Sequence, residues 1–256
     1  MRYQLVSCEI IFREAAMQAA LSPHIVDVTF LTKGLHDNPD SLREQTQAAV
    51  DAVEEATHDA VLLGYGICSH GLAGVRARGL PLVIPRAHDC ITLFLGSKET
   101  YARLHHERPG TYYYTAGWIE RNAAHTDRKP SQGAGLDAGF AELVAKYGED
   151  NARYLMEFRS SWVRNYTHAC YIQMPLSDRP EVEAEARRSA EEHGWEYVTV
   201  PGDDRLVRQL LTGEWDDADF LTVPPGHVIV PTYDSRVLAA APLEEVAQPH
   251  AQSASG

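Results

Sequence analysis

A chain of 256 residues, 44% of them hydrophobic and 23% charged, has enough apolar surface to bury a full core. Its formal net charge of −13 argues against a face built to neutralise phosphates, so no nucleic-acid partner is expected. No apolar run reaches the roughly 18 residues of a membrane span, so no membrane partner is expected either.

The opening Met1–Val6 runs straight into a strand-like segment and then meets Cys8, Glu9, Arg13 and Glu14. That is not the pattern of a secretory signal. Four cysteines are also too few for a disulfide framework. A cytoplasmic location is the expectation, and there thiols are buried, metal-bound or reactive.

Tyr3–Cys8 reads as a strand, Phe12–Leu21 as a short helix and Ile25–Thr32 as a second strand rich in β-branched residues. Asp40 and Ser41 are placed to cap a helix from Leu42 to Thr57, with Ala48, Val50, Val53 and Ala56 on its apolar face. Ala60–Gly64 is a third strand, followed by a glycine-rich turn as far as Gly74. Leu82–Pro85 is a fourth, with a helix expected over Ile91–His105, and Thr111–Thr115 is a fifth. Alternation of this kind predicts βαβ units and a mostly parallel sheet. The uninterrupted apolar run Leu80–Pro85 suits a central strand covered on both faces.

Glu120–Gly139 reads as a surface excursion between two halves, followed by a mainly helical stretch, Phe140–Tyr166. The alternation then resumes with a strand at Cys170–Met174, a helix at Arg179–His193 and a strand at Tyr197–Val200. A helix at Asp204–Leu211, a strand at Phe220–Val223 and the run His227–Pro231 complete it. The expected fold is α/β, with two Rossmann-like, mostly parallel layers in a bilobal arrangement and the second half smaller. The expected boundaries are 1–120 for the N-terminal half, 121–165 for the excursion and linking helices, 166–240 for the C-terminal half, and 241–256 for a disordered tail.

Cys8, Cys68 and Cys90 each fall where a buried strand runs out. In an open parallel sheet the carboxyl ends of the strands share one rim, where ligands bind. Three thiols converging there would suit zinc with an open coordination position, or an iron–sulfur cluster. No CxxC pair supports this, and the alternative is three small buried residues at strand ends. Cys170 opens its strand instead and is expected in the core at the opposite edge.

The turn with Gly64, Gly66, Gly71 and Gly74 is neither GxGxxG nor a P-loop. Such a turn brings backbone close to a cofactor or anion, with Ser69 and His70 beside it, or is simply a tight connection. In the cluster Arg86–Cys90, Arg86 is the candidate to position an anion and His88 to move protons or serve as a fourth ligand. Asp89 either orients a neighbour or caps the next helix. Glu9 is a candidate acid or base on the same rim, or a helix N-terminal charge. Thr115–Trp118 would also reach the rim, and Arg159 and Arg164 are candidates to face the cleft.

Cys8-Glu9 with Arg13-Glu14, the turn Gly64–Cys68, the block Pro85–Gly96, Gly110–Thr115 and Val223–Gly226 together resemble a prokaryotic family, domain of unknown function 1638. The resemblance runs from about residue 3 to 231, with Cys8, Cys68, His88 and Cys90 at matching positions. It implies a setting beside corrinoid proteins and methyltransferases that carry methyl groups from methylated amines to tetrahydrofolate. The leading expectation is therefore a metal–thiolate enzyme or accessory enzyme of one-carbon metabolism. Its small-molecule substrate would be a methylated amine or thiol, with a corrinoid on a partner protein. One alternative is a non-catalytic module that docks the corrinoid protein or handles its cofactor, with His70 or His88 meeting cobalt. Another is a hydrolase using Cys90 or Cys68 as nucleophile with His88.

Overall fold

The first strand, β1 (Arg2–Cys8), carries Leu5 and Val6 at 1% exposure or less, and a strand so covered must lie inside a sheet. In the computed structural model, which describes residues 1–123, 144, 148–154 and 162–246, it pairs in parallel with β2 (Ile25–Leu31) on one side and β3 (Ala60–Gly64) on the other. β4 (Leu82–Pro85) adds in parallel to β3, and β8 (Phe220–Val223) closes that edge antiparallel. The resulting order is β2-β1-β3-β4-β8. Connections therefore leave β1 and β3 towards opposite edges, which makes their carboxyl ends a topological switch point.

The second sheet, β5-β6-β7, is entirely parallel. It comprises β5 (Thr111–Tyr114), β6 (His168–Gln173) and β7 (Glu196–Pro201). Its own small core joins Tyr114, Tyr171 and Trp195 to Val182, Ala186 and Ala190. The α/β expectation with a smaller second layer holds. The chain crosses between the layers twice: β5 joins the second sheet, and β8 returns to the first. A hairpin of β9 (His227–Pro231) and β10 (Leu238–Pro242) lies beside β8. Leu238-Ala-Ala-Ala-Pro242 carries little strand propensity, and its pairing with β9 makes it a strand.

Helix α1 (Phe12–Leu21) follows a 3₁₀ turn, Glu9–Ile11, and α2 (Pro39–Asp51) starts earlier than expected. Asn38 is its cap, accepting the amides of Asp40 and Ser41 at 3.1 Å, with Pro39 in the first turn. The helix expected over Ile91–His105 is two helices, α3 (Cys90–Leu95) and α4 (Lys98–Glu107). Gly96 breaks it at φ 72° and Ser97 caps the restart, its hydroxyl accepting the Thr100 amide at 3.0 Å.

After β5, α5 (Ala116–Ala123) lies against the Glu9–Ile11 turn. Only glycine fits at 117, because a Cβ there would stand 1.7 Å from the Ile10 carbonyl oxygen. Arg13 donates to Glu120 at 2.7 Å, and Arg179 stands 3.3 Å from the same carboxylate. A helix that follows a strand of the second sheet is thus laid over the rim of the first.

Helix α6 (Pro180–His193) connects β6 to β7, and α7 (Arg205–Thr212) returns to pack Leu206, Val207, Leu210 and Leu211 into the larger core. A short α8 (Leu243–Val246) follows β10. Cys170 does not open its strand: it is an interior residue of β6 and 2% exposed. The excursion beyond residue 123, most of Phe140–Tyr166, Arg159 and Ala247–Gly256 lie outside the described residues. Among the described residues no helix is long and apolar enough to cross a membrane.

Candidate functional site

Cys8 ends β1, Cys68 lies in the turn after β3, and Cys90 opens α3 after β4. All three line a single cavity of about 130 Å³ at the switch point. Thr32, Lys33, His36, Tyr65, Ser69, Asp89 and Trp118 are also in its wall. The thiols expected to share a rim therefore share a cavity as well.

Close backbone packing makes this possible. A Cβ on Gly64 would come 2.3 Å from the Ser7 hydroxyl oxygen, and one on Gly66 would come 2.7 Å from the Asp89 backbone. The Ile67 amide donates to the Ala87 carbonyl at 2.8 Å and the Cys68 amide to the His88 carbonyl at 3.0 Å. These bonds carry the β3–β4 contact past the strand ends and bring Cys68 beside the Asp89–Cys90 segment. Cys68, Ser69 and His70 then adopt left-handed conformations in succession, with φ of 45°, 53° and 68°. Each such residue costs about 1–2 kcal/mol. The turn is held by Gly71 N–H to Cys68 O at 2.9 Å and Ala73 N–H to His70 O at 3.0 Å. Backbone held in this region clusters at functional sites.

Burial pushes the Cys8 thiol up to about 11 and the Cys68 thiol up to about 12, with Cys90 also well above its ordinary value. Neighbouring Asp89 raises Cys68 and Cys90 further, and each of these two is also raised by other thiols of the set. Without a bound cation all three are neutral thiols at pH 7. The Lys33 ammonium sits 4.5 Å over the Trp118 ring, where burial lowers its pKa and Glu9 and Cys8 oppose that. The Tyr65 hydroxyl is buried with no hydrogen-bond partner among the described residues. Asp89 caps α3, accepting the Ile91 amide at 3.0 Å, and takes the Tyr101 hydroxyl at 3.0 Å.

The other expected residues are distributed around this cavity. Gly64 and Ser69 line it, whereas Gly66 packs against Asp89 and His70 is exposed outside the lining set. Glu9 stands behind the wall: one oxygen accepts the Lys33 amide at 3.0 Å and the other is 3.8 Å from Arg121. His88 is exposed and lines a second cleft of about 510 Å³, together with Asp89, Lys98, Tyr101 and His105. Arg86 donates to the carbonyls of Asp217 at 2.8 Å, Phe220 at 3.0 Å and Arg236 at 3.1 Å, and to that of Leu238. Its guanidinium holds main chain around β8 and β10. Arg164 is exposed in a 3₁₀ turn.

Lys33, His36 and Tyr65 had not been singled out. The signal for Lys33 was available, because β2 ends on the same rim as β1 and β3. Trp118 was placed at the rim by the sequence, but its position over the thiol cavity comes from the seating of α5. Among the described residues, no three His, Cys, Asp or Glu side chains stand close enough together to hold a metal ion as they are.

The architecture defines an α/β protein with a thiol-lined cavity at the switch point of a mostly parallel sheet. The family model for proteins of unknown function, DUF1638, matches residues 30–211, and the chain belongs to that family. The matched span includes Lys33, Tyr65, Cys68, Asp89, Cys90 and Trp118, and begins after Cys8. No curated protein matches the chain, and no solved structure does.

Proposed function

We propose that the rim cavity is a thiolate centre in which Cys8, Cys68 and Cys90 hold zinc or an iron–sulfur cluster, in an enzyme or accessory enzyme of one-carbon metabolism. The observation that carries this reading is the shared cavity: three thiols from three separate strand ends face one small space. The donor set is soft, as zinc and iron–sulfur centres require. A cation there would also turn three neutral buried thiols into thiolates, releasing their protons. As they stand the thiols are too dispersed for one ion, so the reading requires them to close on it.

A bound zinc ion would supply Lewis acidity at its open position. The chain's own residues would do the rest. Lys33 offsets the negative charge of the thiolates, Trp118 covers the cavity against water, and Asp89 stands between it and the larger cleft. In this reading the substrate is a methylated amine or thiol, the methyl carrier is a corrinoid on a partner protein, and the compartment is the reducing cytoplasm. Free cysteines throughout the described residues are compatible with that compartment. The cysteine-nucleophile reading is weaker here: the thiols are pushed up, and His88 lines the other cleft. His88 on an open cleft favours a second reading, a module that presents imidazole to a corrinoid without catalysis.

The test is metal and acid-labile sulfide content of protein purified without oxygen, with Cys8→Ala, Cys68→Ala and Cys90→Ala. Stoichiometric zinc, or iron with sulfide, should be lost in all three variants and kept in Cys170→Ala. Folded, metal-free protein that takes up neither when reconstituted would overturn the reading.

A further inference from the structure

Tyr65 follows the last residue of β3 and is 3% exposed in the wall of the thiol cavity. β1 and β3 pair in parallel register as far as Ser7 with Gly64, so the next residues along, Cys8 and Tyr65, leave the sheet side by side. Cys68 stands in the same wall, and the phenol has Cys8, Cys68 and Glu9 as electrostatic neighbours. The phenol is therefore packed among the thiols proposed to hold the metal.

Its hydroxyl oxygen is covered from solvent and has no hydrogen-bond partner among the described residues. Buried hydroxyls are nearly always satisfied, so an orphaned one needs an explanation. A covered atom is out of reach of water or an entering molecule, and its partner must come from groups already packed around it. At pH 7 a phenol keeps its proton and can donate it to a hydrogen bond. The Glu9 carboxylate is engaged elsewhere, one oxygen by the Lys33 amide at 3.0 Å and the other 3.8 Å from Arg121. That leaves the sulfurs. A neutral thiol is a poor acceptor, whereas a thiolate is charged and a good one. A metal in the cavity would turn the first into the second, releasing the thiol protons.

We infer that Tyr65 is a positioning residue of the thiolate centre, its hydroxyl donating to the sulfur of Cys8 or Cys68 once that cysteine binds metal as a thiolate. The inference rests on the metal reading above and adds to it a residue that does not itself touch the metal. Such a bond orients the sulfur and spreads a charge that burial otherwise penalises. Losing a partner of this kind weakens metal binding by about 10–100-fold.

The test is Tyr65→Phe in the full chain, handled without oxygen. Zinc affinity, measured by chelator competition, should fall about tenfold or more. With cobalt in place of zinc, the sulfur-to-cobalt charge-transfer absorption should move to longer wavelength. If the protein carries a cluster instead, its reduction potential should become more negative. The metal-free variant should melt no lower than the parent, because the substitution removes only a hydroxyl with no partner among the described residues. Thr46→Val removes another such hydroxyl, outside the cavity wall, and should leave metal binding as in the parent. If the parent binds metal and Tyr65→Phe changes neither its affinity nor its absorption or potential, this inference alone is overturned. A metal-free variant that melts lower would also overturn it alone, since the phenol would then serve packing. A parent that takes up no metal would overturn it together with the metal reading.

Discussion

Tyr101 donates its hydroxyl to Asp89 across 3.0 Å, and Asp89 stands in the wall common to the thiol cavity and the larger cleft. Burial raises the Asp89 pKa, and this hydrogen bond opposes that rise. The pair therefore fixes the partition between the two spaces as well as the cap of α3.

Tyr101→Phe should cost about 1–3 kcal/mol, the range for losing a hydrogen bond to a buried carboxyl. Urea denaturation of Tyr101→Phe, Asp89→Asn and the double variant measures it. The double variant should fall no lower than the more damaged single one. Strict additivity would show that the two side chains do not act together.

Glu14, in the first turn of α1, is 1% exposed. One of its oxygens accepts the Ser177 hydroxyl, and the other has no hydrogen-bond partner among the described residues. Burial raises its pKa above the unfolded value of about 4.3. As pH rises the unfolded chain releases this proton first. The stability it contributes is therefore complete below about pH 4.3 and is lost as pH climbs through the folded value. Glu14→Gln should leave stability at pH 7 unchanged or higher and remove that part of the pH dependence. Urea midpoints from pH 4 to 8 check it. A loss above about 1 kcal/mol at pH 7 would mean that the ionised carboxylate is needed.

Gly117 carries α5 against the Ile10 carbonyl, with no room for a Cβ. Because the clash is with backbone, Gly117→Ala must lift the helix, at about 1–3 kcal/mol. Trp118 should shift to longer-wavelength emission as it leaves the cavity. Gly34→Ala is the control, since a Cβ there meets nothing within 4 Å.

Arg86→Met removes the donor shared by the carbonyls of Asp217, Phe220, Arg236 and Leu238, and should cost about 1–3 kcal/mol. Amide exchange should quicken in residues 232–238, between β9 and β10, while metal binding at the thiol cavity stays as in the parent. Lost ligand binding with unchanged exchange would restore Arg86 to the anion-holding role that its sequence neighbourhood suggested.

Several strands were legible to the residue. Ala60–Gly64, Leu82–Pro85 and Phe220–Val223 are short apolar or β-branched runs with clear breakers, and each forms as read. The single helix expected after β4, over Ile91–His105, divides into α3 and α4 because Gly96, tolerable inside a helical pattern, takes a left-handed backbone. The placement of Arg86 was misread for a different reason. Its partners are carbonyls far along the chain, and a carbonyl leaves no mark in the sequence.

By itself the sequence determined the α/β class, the strand ends at Cys8, Gly64 and Pro85, and hence the rim on which the thiols fall. These follow from local hydrophobic periodicity and from the common direction of strands joined by crossovers. Only the tertiary structure decided that β5 and β8 exchange sheets, that α5 roofs the cavity with Trp118, and that Lys33 and Tyr65 face it while His88 and Arg86 do not. Those outcomes depend on pairing and packing between residues distant in the chain, where local pattern is silent and side-chain direction is set by what each residue meets on folding.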